Sequence, residues 1–256
     1  MTPRPVAVGW RALVAGSVAL ATERGLTAVT SAGWRRTNHR GRGVGLQSGP
    51  ALVLAAVVTA RGPLLPAAVA GLGAAAAGRY DDAAGHLDRA KGLRGHAAAV
   101  REGRLTGGAV KVVGIGAAAL VGVLLLPRRG LLSALRDAAL VAGSANLLNL
   151  LDLRPGRALK VGLVTSAALR EPGPAAASLA LLPGDLRERT MLGDCGANGL
   201  GALLGLAAVE RLAPARRTAL LTVVTTLVLA SERVSFTRVI ESTPGLRQLD
   251  GLGRLP

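Results

Sequence analysis

Apolar residues along this chain come in runs, and short polar segments separate the runs. The first run lies between Trp10 and Trp34, and others cover positions 46–60, 64–78, 107–126, 131–151, 159–169, 175–182, 200–212 and 220–230. The two tryptophans stand 24 positions apart, about 36 Å of helix, which is an interface-to-interface distance. Such runs predict membrane-spanning helices, although 175–182 alone is shorter than a membrane is thick. The expectation is an all-α fold: a polytopic integral membrane helical bundle of about nine transmembrane helices, one membrane domain over residues 1–256. Charges inside the runs should be paired. Glu23 and Arg24 are expected to form a salt bridge facing the bundle, and Arg136 and Asp137 to pair internally. Lys111, near the start of its run, reads as a lysine that snorkels to the interface.

The polar segments carry the topology. Residues 35–43 are a basic loop. Residues 79–106 are the longest polar segment, with Ala and Leu spaced for an amphipathic helix along the headgroups. Residues 152–160 and 183–196 read as loops, and 231–256 as a polar tail whose apolar positions suit surface attachment. With the amino terminus outside, the inner segments hold 19 Lys and Arg and the outer ends about 9. That is the orientation the positive-inside rule favours. Residues 79–106 and 231–256 are then a cytoplasmic loop and tail, and the chain is a multi-pass protein of the plasma membrane.

Composition agrees. Half the residues are hydrophobic, 2% are aromatic, and the mean hydropathy is +0.42. The net charge of +16 raises nucleic acid as a partner. The basic residues lie in short loops, however, and there are too few aromatics for a base-stacking surface, so no nucleic-acid partner is expected. A single cysteine, Cys195, excludes an internal disulfide and a cysteine-based zinc site. The 35 glycines permit close helix packing and are compatible with a homodimer without predicting one.

Three polar clusters end apolar runs: Asp81-Asp82, Asn146-x-x-Asn149-x-x-Asp152, and Met191-Leu-Gly-Asp194-Cys-Gly196. Adjacent carboxylates at a membrane boundary repel each other and are costly to desolvate, and a hard divalent cation would relieve both problems. In the proposed orientation all three clusters fall on the cytoplasmic face, as a membrane-surface active site requires.

In order, the basic loop containing Asn38 and Arg42, then Asp81-Asp82, Lys91, Asn149 with Asp152, and Asp194 resemble the polyprenyl-phosphate N-acetylhexosamine-1-phosphate transferase family. The likeness runs from about residue 35 to 212. It implies Mg²⁺-dependent transfer of a sugar-1-phosphate from a UDP-sugar to polyprenyl phosphate (undecaprenyl or decaprenyl), releasing UMP, in cell-envelope glycopolymer synthesis. Two anions must meet, so charge neutralisation is the main catalytic task. By resemblance Asp81, Asp82 and Asp194 are catalytic, with Asp194 and Asp82 holding the metal. Lys91 neutralises phosphate, Asn149 and Asp152 contact the nucleotide, and Asn38 and Arg42 belong to the cluster that holds the lipid phosphate.

Two departures stand out. The family's middle motif continues with a second carboxylate after Asp152, where this chain has Leu-Arg-Pro-Gly-Arg157. Arg154 and Arg157 are then candidates to meet a phosphate or sugar acid. The family's late histidine-rich motif is also missing, since no histidine follows His96. A second reading is therefore a non-catalytic relative that binds polyprenyl phosphate or scaffolds an envelope-assembly complex. The joint presence of Asp81, Asp82 and Asp194 favours catalysis.

Overall fold

A computed structural model of the chain describes residues 5–30, 32–84, 106–127 and 130–255. Apart from a two-stranded hairpin, the regular structure of these residues is helical. Helix α1 is Pro5–Val29. A short hairpin follows, β1 (Arg35–Thr37) antiparallel to β2 (Gly43–Gly45). Then come α2 (Ser48–Val58), α3 (Leu64–Ala84), α4 (Gly107–Leu124), α5 (Leu131–Leu151), α6 (Arg157–Ala168), α7 (Pro172–Leu186), α8 (Gly193–Arg211), α9 (Pro214–Ser231), α10 (Phe236–Ser242) and α11 (Pro244–Gly251).

The apolar run at 131–151 becomes α5 without change. The runs at 64–78, 175–182, 200–212 and 220–230 give helices that reach beyond their apolar limits, whereas those at 46–60 and 107–126 give slightly shorter ones, because packing rather than hydropathy decides where they stop. The basic loop at 35–43 is largely the hairpin, with Arg36 opposite Val44. Residues 183–196 were expected as a loop, yet α7 continues through Pro183 to Leu186 and α8 begins at Gly193. A proline within a helix removes one backbone hydrogen bond. Here it falls in the last turns, and contacts of α7 with α1 and α6 hold the helix.

Helix α8 is the centre of the molecule. Nearly all its residues from Gly193 to Val209 are buried, and it packs against α3, α5 and α2. One core, with Ile115, Val141, Leu206 and Val209, fills the α3–α4–α5 side. Another, with Leu52, Leu159, Leu181 and Leu200, fills the α1–α2–α7 side. Small residues let backbones touch. A Cβ on Gly78 of α3 would meet the Asp194 carbonyl oxygen of α8 at 2.1 Å, so only glycine allows this approach.

Among the described residues three helices are long and apolar enough to cross a membrane: α1 over Gly9–Val29, α4 and α5. The bent pair α9 and α10, at 96°, makes a fourth if counted as one span. The other runs do not qualify alone. Helix α2, with 11 residues, rises only about 16 Å, half a hydrocarbon core.

The end of the bundle opposite the hairpin is held by ion pairs and helix-end bonds. Arg11 donates to the carbonyls of Thr59 and Ala60, Arg61 to that of Arg170, and Arg211 pairs with Glu171. Arg136 does pair with Asp137, at 2.9 Å, and Arg217 of α9 reaches the same carboxylate at 2.6 Å. Glu23 and Arg24 diverge: Arg24 is exposed, Glu23 half-buried, and among the described residues no salt bridge joins them.

The tail is not loose. Asp250 of α11 accepts two bonds from buried Arg157, at 2.9 and 2.8 Å. Lys160 donates to the carbonyls of Leu249, Asp250 and Leu252 at 3.2, 2.8 and 2.7 Å. Arg157, a sequence candidate for phosphate or sugar acid, is therefore a structural clasp with its charge already matched.

Candidate functional site

Six elements bring polar side chains to the hairpin end: the hairpin itself, the last turns of α3, α5 and α7, and the first turns of α4 and α8. Arg79 holds the hairpin to α3, its guanidinium 4.3 Å from the centre of the Trp34 ring. The segment before α8 is laced to β2, the Gly45 amide donating to the Arg189 carbonyl and the Met191 amide to the Gly45 carbonyl, each at 2.9 Å. Gly193 starts α8 with φ +61, a left-handed conformation suited to glycine.

At the centre, four elements converge on one ammonium group. Lys111 of α4 donates to Asp81 of α3 at 3.1 Å and to Asp194 of α8. With its amide turned to suit its neighbours, Asn149 of α5 accepts from Lys111 at 3.1 Å and donates to Asp194 at 3.1 Å. All three donors of the ammonium are thereby used. The sequence reading had Lys111 as a snorkelling lysine; instead it turns into the bundle, because two carboxylates and an amide await it there.

Asp82 takes a different position. Its side chain is fully buried and caps α8, accepting the Asp194 and Cys195 amides at 3.0 Å each. Arg36 of β1 bonds to Asp82 at 3.1 Å and lies 3.6 Å from Asp194. Asp82 thus neutralises the amino end of α8, a role not read from sequence. These carboxylates lie outside the apolar stretches, beyond Gly78 and ahead of Leu200. Burial, then repulsion from Asp194, pushes Asp82 up to about 6. Burial also works to raise Asp194, but the charge of Lys111 holds it below the usual carboxylate range.

Asn38 and Arg42 are tied up locally. Asn38 Oδ1 accepts the amides of Arg40 and Arg42 at 2.9 and 3.0 Å, and its Nδ2 donates to Glu188 at 2.7 Å. Arg40 and Arg42 also pair with Glu188, at 3.2 and 3.7 Å. Asn38 therefore shapes the hairpin turn. Lys91 lies outside the described residues, as does the 79–106 segment from 85 to 105.

Beside this cluster opens a cleft of about 440 Å³. Asp194 and Asn149 border it, Arg36, His39 and Arg154 contribute to it from the hairpin and the α5–α6 loop, and Asp152 and Asp185 line it from α5 and α7. Asp152 is buried where the sequence placed a nucleotide-contacting residue. Asp185 was not foreseen, since Pro183-Gly-Asp185 reads as a turn.

The resemblance brings Mg²⁺, and the donor chemistry here fits it in kind: Asp81 and Asp194 carry hard oxygens, and among the described residues Asp81, Asp82 and Asp194 form salt bridges with two cations, Lys111 and Arg36. The position between Asp81 and Asp194 is filled by Lys111, and among the described residues no three His, Cys, Asp or Glu side chains stand ready to hold a metal ion. A divalent cation would share the clamp with Lys111 or displace it.

No protein-family model matches this chain, and no curated protein matches it.

Proposed function

We propose that the chain transfers a sugar-1-phosphate from a UDP-sugar to polyprenyl phosphate at the cytoplasmic face of the plasma membrane, releasing UMP. The reading takes the hairpin end as cytoplasmic and the bundle as multi-pass, with the shorter helices completing a set of about nine crossings around the apolar ones. The observation that carries it is the convergence of Asp81, Lys111, Asn149 and Asp194, from four helices, beside a cleft with basic residues at its mouth.

The chemistry required is the approach of one phosphate to another, with charge neutralised in a site of restricted solvent. Lys111 and Arg36 supply fixed positive charge beside the cleft. Asp81, with one oxygen on Lys111, is the carboxylate available to take a proton from the lipid phosphate. Asp194 and Asn149 orient Lys111. Mg²⁺, held by Asp194 with Asp81 rather than with Asp82, whose oxygens are taken by the Asp194 and Cys195 amides and by Arg36, would supply further neutralisation of the diphosphate.

A specific observation keeps the second reading in view. The carboxylates are internally paired with Lys111 and Arg36 and with backbone amides, which is also what a scaffold without catalysis needs for stability.

The test is UMP release by the purified protein with polyprenyl phosphate, Mg²⁺ and a panel of UDP-sugars. Release should require lipid and metal, and Asp194→Asn should lower it by about 100-fold or more, as expected when a charge at the reacting phosphates is lost. No release with any donor, from a folded preparation that still binds polyprenyl phosphate, supports the scaffold reading instead.

A further inference from the structure

The cluster around Lys111 accounts for Asp81, Asp82 and Asp194. It leaves two carboxylates in the adjoining cleft without a task. Asp185, in the last turn of α7, is 3% exposed, and Asp152, at the end of α5, is 8% exposed. Asp185 Oδ1 accepts the Gly156 amide at 3.1 Å, which fixes the α5–α6 loop. Its Oδ2, and Oδ2 of Asp152, are buried and have no hydrogen-bond partner among the described residues. Both residues line the same cleft.

Buried carboxylate oxygens without partners are costly, and native proteins seldom leave two in one place unless something else satisfies them. Burial pushes both groups up, Asp185 to about 7, and the charge of Asp185 pushes Asp152 up further. What they lack is hydrogen-bond donors. The mouth of the cleft has the opposite character: Arg36 and Arg154, which pair at 3.1 and 3.4 Å with Asp82 and Glu241, keep side chains 50% and 26% exposed, and His39 is exposed beside them. An ammonium ligand would suit the floor and be repelled at the mouth. A ligand with a negative end and neutral donors at the other suits both. The cleft, at about 440 Å³, lies within the size range of small-molecule sites.

We propose that Asp152 and Asp185 are the floor of a binding site for a phosphorylated polyol, the carboxyl oxygens taking the hydroxyls of a vicinal diol while the basic mouth takes the phosphate. On the transferase reading, on which the choice of ligands rests, the diol is either the ribose of the nucleotide or the sugar ring. Asp185 then does two jobs with two oxygens. Oδ1 holds the loop and Oδ2 reads the ligand, and Asp185→Asn separates them by keeping an acceptor for Gly156 while replacing the free oxygen with a donor.

The experiment is calorimetric titration of the full chain in detergent with UMP, 2′,3′-dideoxy-UMP, glucose 1-phosphate, inorganic phosphate and unphosphorylated glucosamine. The wild-type protein should bind UMP or glucose 1-phosphate more tightly than inorganic phosphate or glucosamine. Asp185→Asn should weaken the preferred ligand at least tenfold and leave inorganic phosphate unchanged. If UMP is preferred and the dideoxy analogue binds at least tenfold more weakly, ribose is the diol; if glucose 1-phosphate is the sensitive ligand, the sugar ring is. The wild-type comparisons need no variant and stand even if Asp185→Asn fails to fold. The proposal is overturned if the variant binds every ligand as the wild type does, if glucosamine or inorganic phosphate binds best, if UMP is preferred and its dideoxy analogue binds as well, or if none of the five binds. UMP release is measured separately. Diol-selective binding without release leaves this site standing and removes the transferase reading, whereas release with unselective binding does the reverse.

Discussion

Lys111 shows how much one side chain can decide. With side-chain exposures of 12% for Lys111, 21% for Asp81 and 16% for Asp194, the ion pairs are mostly shielded. Removing the ammonium leaves two facing carboxylates, a change that costs about 3 kcal/mol in sites of this burial. Lys111→Met should therefore lower the thermal midpoint in metal-free detergent, and Mg²⁺ should restore part of the loss by taking the vacated place. A midpoint that falls but ignores Mg²⁺ argues against a divalent ion at Asp81 and Asp194. The cleft carboxylates give a pH dependence of the other sign from that of ordinary paired acids. Asp185, raised from 3.8 to about 7, binds its proton more tightly folded than unfolded. Stability should be greater near pH 4 and fall as pH rises toward about 7. Asp82, raised to about 6, adds to the same slope, whereas Asp194, which is lowered, loses its contribution only below about pH 4. Asp185→Asn should flatten the curve between pH 4 and 7 in thermal unfolding; an unaltered slope would assign it to other groups.

Among the elements, α3 and α8 carry the site because they touch along their backbones. Their contact at Gly78 places Asp82 under the first amides of α8, joining residues 113 positions apart. Gly78→Ala would put a methyl group 2.1 Å from the Asp194 carbonyl oxygen and 2.4 Å from its carbon. Backbone atoms must then shift, which costs about 1–3 kcal/mol. The expected readout is a lowered midpoint together with weaker helix capping at Asp82, and an unchanged midpoint would show that α3 and α8 can separate at no cost. The sequence reading placed helices well here, since α5 matches its apolar run. It failed at Pro183, because a single proline signals a helix end only when neighbouring helices do not hold the strand of backbone beyond it.

At the scale of the molecule, polar side chains gather at two ends and apolar cores lie between them. The alternation of runs along the chain predicted that separation, and the ion pairs of Arg11, Arg61, Arg211 and Arg217 at the far end agree with it. The sidedness of the ends is open to a direct test. The native cysteine, Cys195, is buried, so cysteines introduced as His39→Cys and Arg216→Cys can be labelled selectively. In intact cells an impermeant maleimide should reach position 216 and should reach position 39 only after the membrane is opened. The reverse pattern would invert the orientation.

The sequence by itself determined where the apolar helices form, though not α10, α11 or the last turn of α7, because apolar runs of helical length admit few other solutions in a membrane. It also brought Asp81, Asn149 and Asp194 to one end, since each terminates a run. Only the tertiary structure decided which charges meet. Lys111 stands between Asp81 and Asp194, Arg157 belongs to Asp250, and Asp185 joins Asp152 in the cleft. These pairings depend on how each helix is rotated and how closely backbones approach, and spacing along one chain contains neither quantity.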